Sequence, residues 1–373
     1  MAKKVLIVCG QEIICERNDG GKKCSFRNYD LFCKVFGNEN VYLCMLTNYK
    51  AEDKEKVFRL VAYKTTIERG INIARGALFT SVANEQKIIS FIEKNCISIV
   101  VFERSMYGSL ITKIKKQKLP CELWVFVHNV ERRYFENKMK CHKILYSLPY
   151  WRIAKSEKET FKYSDYIITL TLRDAQLINK LYGRNSDLIL PMTFYDEFDD
   201  KKLFKNGEQD TKELLFIGTM FAPNYEGIKW FVDYVMPELN GFHLVIVGKD
   251  FELKRTELES KNVRVVGTVE SLDQYYYSNN IMIMPIFYGD GMKIKTAEAM
   301  MYGKTILASD EALEGYEVND VQGIYRCNTR EEYLETIHMI ERNENYYNKS
   351  VRNLFLSKYC LNNQIYECKR LWT

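Results

Sequence analysis

Residues 289–303 concentrate side chains that could do chemistry. Gly289-Asp290-Gly291-Met292-Lys293-Ile294-Lys295 is followed by Glu298 and ends at Gly303. The pattern predicts a helix from about Met292 to Tyr302, stopped by Gly303 as a left-handed C-terminal residue. Ile294, Ala297 and Met301 recur at i, i+3 and i+7 and form its buried face, while Gly291, Lys295 and Glu298 share another. Two glycines let the backbone approach a ligand closely, and a helix N-terminus favours an anion. Lys293 and Lys295 add positive charge, and Glu298 can accept hydrogen bonds from paired sugar hydroxyls. Together these residues describe a diphosphate site with a carboxylate clamp for a ribose, Asp290 lying in the loop beside it.

Such a loop needs a strand before it and a helix after it, and the chain repeats that unit. Short apolar runs occur at Val5–Cys9, Val41–Leu46, Ile97–Phe102, Leu123–Val127 and Tyr166–Leu170 in the first half. In the second half they occur at Leu214–Ile217, His243–Val247, Val263–Val266, Ile281–Pro285 and Thr305–Ala308. Continuous Val/Ile-rich runs without alternation are strands buried on both faces, as in a parallel sheet. The stretches between them suit crossover helices. Ligands of open α/β sheets gather at the carboxyl ends of strands. A polar stretch from Tyr195 to Asp210 separates the two sets. Its acidic cluster reads as a hinge linker rather than a metal motif. The expected fold class is α/β, with two Rossmann-like, doubly wound parallel-sheet domains facing each other across a cleft.

The first half offers two weaker candidates. Gly20 and Gly21 follow the first strand and would let backbone amides approach phosphates or an acceptor, with a plain tight turn as the alternative. His128 follows the buried run Leu123–Val127, where a site histidine and a structural one are both open readings.

The segment Gly289–Gly303 resembles the donor-binding signature of retaining GT-B glycosyltransferases, particularly glycosyltransferase family 4, the glycosyl transferases group 1. That family has two acidic residues eight apart, here Asp290 and Glu298, the first being the shorter Asp in place of the usual Glu. Leu215–Phe231 is similar to the opening strand and helix of the family's donor domain, with Thr219 where many members have Arg. Val263–Leu272 is similar to the stretch that reads the nucleotide base, and Ser309–Gly315 to a late loop.

The resemblance implies a GT-B fold with domains at 1–195 and 196–354, and a C-terminal helix at 355–373 crossing back to the first. It implies metal-independent transfer of a sugar, with retention, from a UDP- or GDP-linked donor to a glycan or lipid-linked glycan acceptor, as in bacterial surface polysaccharide or glycoconjugate synthesis. Asp290, Lys293, Lys295 and His128 would serve the chemistry. Gly218, Thr219, Val269, Gly291, Met292, Glu298, Gly20 and Gly21 would bind the donor. No cofactor is implied beyond the nucleotide-sugar substrate. Two alternatives remain: a catalytically impaired partner subunit of this fold, kept open by Thr219 and Asp290, and a sugar-nucleotide epimerase.

Composition excludes several other classes. The 373 residues carry a net charge of +5 and 46% hydrophobic residues, as in a globular chain of about two domains. The 11 cysteines form no C-x-x-C pair and read as free thiols of a reducing cytoplasm. No apolar run approaches the roughly 18 residues of a membrane span, and the N-terminus reads as a first strand rather than a signal peptide. Residues 101–160 hold 13 Lys/Arg against 6 Asp/Glu. No nucleic-acid module accompanies them. This basic excess is expected to rest on an anionic membrane leaflet, making the protein peripheral on the inner face of the membrane. Assembly into a homo-oligomer is left open.

Overall fold

The computed structural model describes residues 2–15, 20–74, 77, 80–141, 143–203, 212–289, 291–340 and 347–373, without the side chains of 137, 138, 140, 141 and 143–149. The chain divides into two units. Unit 1 is Met1–Met192 with Ile365–Thr373, and unit 2 is Thr193–Gln364.

Unit 1 contains β1 (Val5–Cys9), β2 (Val41–Leu46), β3 (Val57–Leu60), β4 (Ile99–Glu103), β5 (Glu122–Val127), β6 (Tyr166–Thr169) and β7 (Leu188–Ile189). Their order is β3-β2-β1-β4-β5-β6-β7 and every pairing is parallel. The apolar runs explain why: Val5 to Val8 and Ile99 to Phe102 are wholly buried, so both faces of the sheet are covered by helices. Unit 2 contains β8 (Glu213–Ile217), β9 (His243–Val247), β10 (Val263–Gly267), β11 (Ile281–Met284), β12 (Thr305–Ala308) and β13 (Ile324–Arg326). Their order is β10-β9-β8-β11-β12-β13, again all parallel. In both sheets the order reverses beside the first strand, the topological switch point of doubly wound folds.

β3, β7 and β13 were not anticipated from the sequence. Each is an edge strand of two to four residues, too short to show as an apolar run, and β3 and β13 each also contain an arginine. The helix expected from Met292 runs from Ile294 to Met301, with Lys293 in extended conformation at its N-cap. Gly20 and Gly21 lie within the first turn of the helix Gly20–Phe36 rather than in a loop. Phe355, Tyr359 and Cys360 are buried in the core of unit 2, so the chain returns to unit 1 later than residue 355.

The returning helix, Leu361–Trp372, ends in an aromatic cluster. The Trp372 ring stacks on Phe32 at 5.1 Å between centroids and meets Trp124 edge-on at 5.3 Å. Its carbonyl accepts a hydrogen bond from Lys3 Nζ at 3.0 Å. With Phe36 stacked at 6.4 Å as a third aromatic partner, the buried indole is the anchor of the C-terminus.

The basic excess is partly neutralised. Lys113 pairs with the buried Glu85, and Lys115 pairs with Asp165 at 2.8 Å. The side chains of Lys138, Lys140 and Lys143 lie outside the described residues, and Trp151 is 66% exposed. Among the described residues no helix is long and apolar enough to cross a membrane.

Trp372→Ala is expected to lower the stability of unit 1 by about 3–5 kcal/mol, the usual cost of emptying a buried tryptophan site. Urea unfolding followed by circular dichroism checks this, and an unchanged midpoint would contradict the anchor.

Candidate functional site

The site in unit 2 is built where β8 and β9 end. Gly218 follows β8, and its N–H donates to the Val247 carbonyl at 3.0 Å. Gly248 follows β9 with φ +142°, and a Cβ there would lie 1.7 Å from the Gly218 carbonyl oxygen. Only glycine permits this approach, which brings two backbone segments together with no side chain between them. A Cβ on Gly218 would lie 2.8 Å from Lys295 Nζ, so the glycine also makes room for the lysine head.

Lys295 sits in the first turn of the helix Ile294–Met301. Its Nζ donates to Asn224 Oδ1 at 2.8 Å, and Asn224 Nδ2 donates in turn to the Thr219 carbonyl at 2.8 Å. The ammonium lies 4.8 Å from the centroid of the Phe216 ring. Desolvation opposes its charge, Glu298 supports it and Lys293 opposes it again. The net effect pushes Lys295 down to about 7. Asn224 therefore connects two expected site positions, Thr219 and Lys295. Asn224 was not singled out from the sequence. Its signal was Pro223-Asn224 at the opening of the helix Ala222–Tyr234, where the side chain turns back onto the preceding loop.

Lys293 has a different setting. Its Nζ donates to the Gly291 carbonyl at 2.8 Å and to Glu311 Oε1 at 2.7 Å. Tyr316 fixes its backbone by donating to the Lys293 carbonyl at 2.8 Å. The cation is thus shared with an acid that sequence spacing did not reveal, because Glu311 comes from the loop after β12. Glu298, one turn along the helix from Lys295, accepts a hydrogen bond from Tyr276 at 3.1 Å. Tyr276 is buried and stacked on Tyr302 at 4.5 Å, which fixes that hydroxyl in place.

Gly291 is buried with φ +66°, a left-handed turn into the helix. Met292 and Val269 are half-buried against the same core. Val269 follows Thr268, whose N–H and hydroxyl donate to Glu252 at 3.0 and 2.8 Å. Thr219 is exposed. Asp290 lies outside the described residues. Among the described residues no group of three or more His, Cys, Asp or Glu could hold a metal ion.

The other candidates belong to unit 1. Gly20 and Gly21 are described above. His128 follows β5 and is almost wholly buried, with Nε2 2.6 Å from Glu103 Oε2. Asn28 Nδ2 donates to both Glu103 oxygens, at 3.0 and 3.2 Å. Burial opposes a charge on the imidazole, but Cys24 and Glu103 outweigh it and push His128 up to about 9. Glu103 was missed because it closes an otherwise apolar strand and reads as a strand end.

Two parallel-sheet Rossmann-like units, with the last residues of the chain returning to the first, define the GT-B fold of glycosyltransferases. Residues 211–340, within unit 2, match the family model described as glycosyl transferases group 1. Among solved structures, the chain is similar to sucrose-phosphate synthase from Thermosynechococcus elongatus. The identity is 14%, the TM-score 0.71, and the match covers 99% of this chain and 98% of that one. It is similar to a glycosyltransferase from Rickettsia africae at 12% identity and TM-score 0.69, covering 100% and 98%. It is also similar to Anabaena Alr3699/HepE in complex with UDP and glucose, at 10% identity and TM-score 0.66, covering 100% of both chains. Among curated proteins none matches this chain.

His128 is expected to titrate well above the ordinary histidine value, near 9, when followed by NMR of the labelled ring. Glu103→Gln should move that midpoint down, since it removes a charge in direct contact. A midpoint near 6.5 in the unaltered protein would contradict the ion pair.

Proposed function

We propose that the protein transfers a sugar from a UDP- or GDP-linked donor to a glycan or lipid-linked glycan acceptor, without a metal and with retention, on the cytoplasmic side of a bacterial surface-polysaccharide or glycoconjugate pathway. The observation that carries this reading is the placement of Lys295 at the glycine-lined end of β8, one turn from Glu298. A diphosphate needs closely spaced cations and backbone groups, and a ribose needs a fixed carboxylate. The match of unit 2 to glycosyl transferases group 1 and the UDP and glucose held by the Anabaena protein support the same donor class.

In this reaction the bond between the anomeric carbon and the diphosphate oxygen breaks, and its electron pair leaves with the diphosphate. The bond to the acceptor oxygen forms at the same carbon as the acceptor O–H breaks, its proton passing to the departing diphosphate oxygen. Charge develops on the leaving group, so preorganised cations lower the barrier. Lys295 supplies one through a side chain already oriented by Asn224. Lys293 supplies a second as it shifts from Glu311 to phosphate oxygen. Glu298, steadied by Tyr276, accepts from the ribose hydroxyls. In this reading Asp290 orients donor-sugar hydroxyls.

Glu298→Ala is expected to weaken nucleoside-diphosphate affinity by roughly 1.5–3 kcal/mol, the range for hydrogen bonds to a charged group. Calorimetry on the folded variant checks this, and unchanged affinity removes the clamp. Turnover on a donor found by screening nucleotide-sugars should fall about 100-fold in Lys295→Ala, and addition of a chelator should leave turnover unchanged. Normal turnover in the variant would move the diphosphate elsewhere.

A further inference from the structure

The cations at the carboxyl ends of the strands of unit 2 differ in their settings. Lys295 donates to Asn224, Lys293 pairs with Glu311 at 2.7 Å, and Arg326 pairs with Asp310 at 2.6 Å. Lys249 follows β9 and is exposed. Among the described residues its ammonium has neither a hydrogen bond nor an ion-pair partner. Asp250, next in the chain, has a left-handed backbone with φ +67°, and its N–H donates to Thr268 Oγ1 at 3.2 Å. The chain therefore turns immediately after Lys249, which stands at the tip of β9.

The backbone places this tip beside the Lys295 head. β8 and β9 stay paired beyond their last residues, where Ile217 is in register with Val247. The Gly218 N–H donates to the Val247 carbonyl at 3.0 Å, and the Met220 N–H donates to the Lys249 carbonyl at 2.8 Å. Thr219 and Lys249 thus run side by side past the strand ends. Gly218 and Gly248 bear no side chains, so Thr219 and Lys249 carry the first ones beyond the two strands. Neighbouring strands lie about 4.8 Å apart and a residue rises about 3.3 Å, so the Lys249 Cα stands roughly 6 Å from the Gly218 Cα. The Lys295 ammonium lies against Gly218, 2.8 Å from the position of a Cβ there. The flexible four-carbon stem of a lysine spans such a gap. Two ammoniums, one from β9 and one from the helix Ile294–Met301, can therefore meet on a ligand seated over the bare Gly218–Gly248 backbone.

A diphosphate is the part of a nucleotide donor that suits this arrangement. It carries more oxygens than one ammonium can serve, and Lys295 already gives a hydrogen bond to Asn224. Lysine serves phosphate as a compact point charge with rotatable donors, so Lys249 needs no fixed approach. It also has no ion pair to give up, whereas Lys293 must leave Glu311.

We propose that Lys249 is a diphosphate-binding residue supplied by β9, acting together with Lys295. This rests on the reading of unit 2 as the nucleotide-sugar site and adds a binding residue from a second strand.

The probes are UDP and GDP, each compared with its nucleoside, uridine or guanosine, by calorimetry. For the diphosphate that binds, Lys249→Ala should lower affinity roughly three- to tenfold, the range of a charged contact that stays partly in water. Lys249→Arg, which keeps the charge, should restore most of it. Nucleoside affinity should be the same in all of these proteins. Lys261→Ala removes an equal charge from the exposed amino end of β10 and should leave diphosphate affinity unaltered. Melting temperature should not change in any variant, since neither lysine has a partner to lose. Unaltered diphosphate affinity in Lys249→Ala would overturn the proposal. So would an equal fall in nucleoside affinity, which would place Lys249 away from the phosphates, or an equal fall in Lys261→Ala, which would reduce the effect to the general field of the protein. Failure of the unaltered protein to bind either diphosphate is a different result: it would overturn the donor reading itself, and this proposal with it.

Discussion

A lysine ammonium held at the end of β8 by one asparagine and one aromatic face is the constraint around which unit 2 is arranged. Burying a cation is costly unless its donors are matched. Here Asn224 accepts one of the three protons and the Phe216 ring faces the charge, while Lys293 adds repulsion. The pocket for this head exists because Gly218 carries no side chain, and the backbone stays closed there because Gly248 carries none either. Asn224 in turn is held by the Thr219 carbonyl. Removing any of these parts leaves the ammonium without its setting.

Lys293 and Glu298 show the same economy of placement. Each has a partner that orients it: Glu311 and the Gly291 carbonyl for the lysine, Tyr276 for the carboxylate. Unit 1 handles its buried charges by tighter pairing. His128 and Glu103 are in direct contact, with Asn28 on the carboxylate, and Glu12 is closed by Arg59.

Much of this was legible in the sequence. The central strands could be read because burial on both faces leaves continuous apolar runs, and β1, β2, β9 and β12 fall at the expected residues. The edge strands β3, β7 and β13 could not, since an edge needs no such run. Lys293, Lys295 and Glu298 could be named as candidates because one loop and one helix carry them all. Their partners were not: Asn224, Tyr276 and Glu311 come from distant segments, and only the fold of the sheet brings them together. Gly20 and Gly21 were misplaced in a loop because glycine pairs mark turns more often than helix starts. His128 was read by its place after a strand, but nothing in its neighbourhood of sequence pointed to Glu103 or Cys24.

The central claim is that Lys295, close to half-charged at neutral pH, becomes fully charged when a diphosphate arrives. With its value near 7, Lys295 already has most of its proton below pH 7, whereas above it binding must take one up. Calorimetric titration of UDP and of GDP at pH 8, in buffers with different heats of ionisation, measures that proton directly. For the nucleotide that binds, proton uptake should be measurable, because Lys295 is held well below the usual lysine value, and should vanish in Lys295→Met. Binding with no proton uptake, or with the same uptake in the variant, would contradict the assignment of Lys295 to the diphosphate.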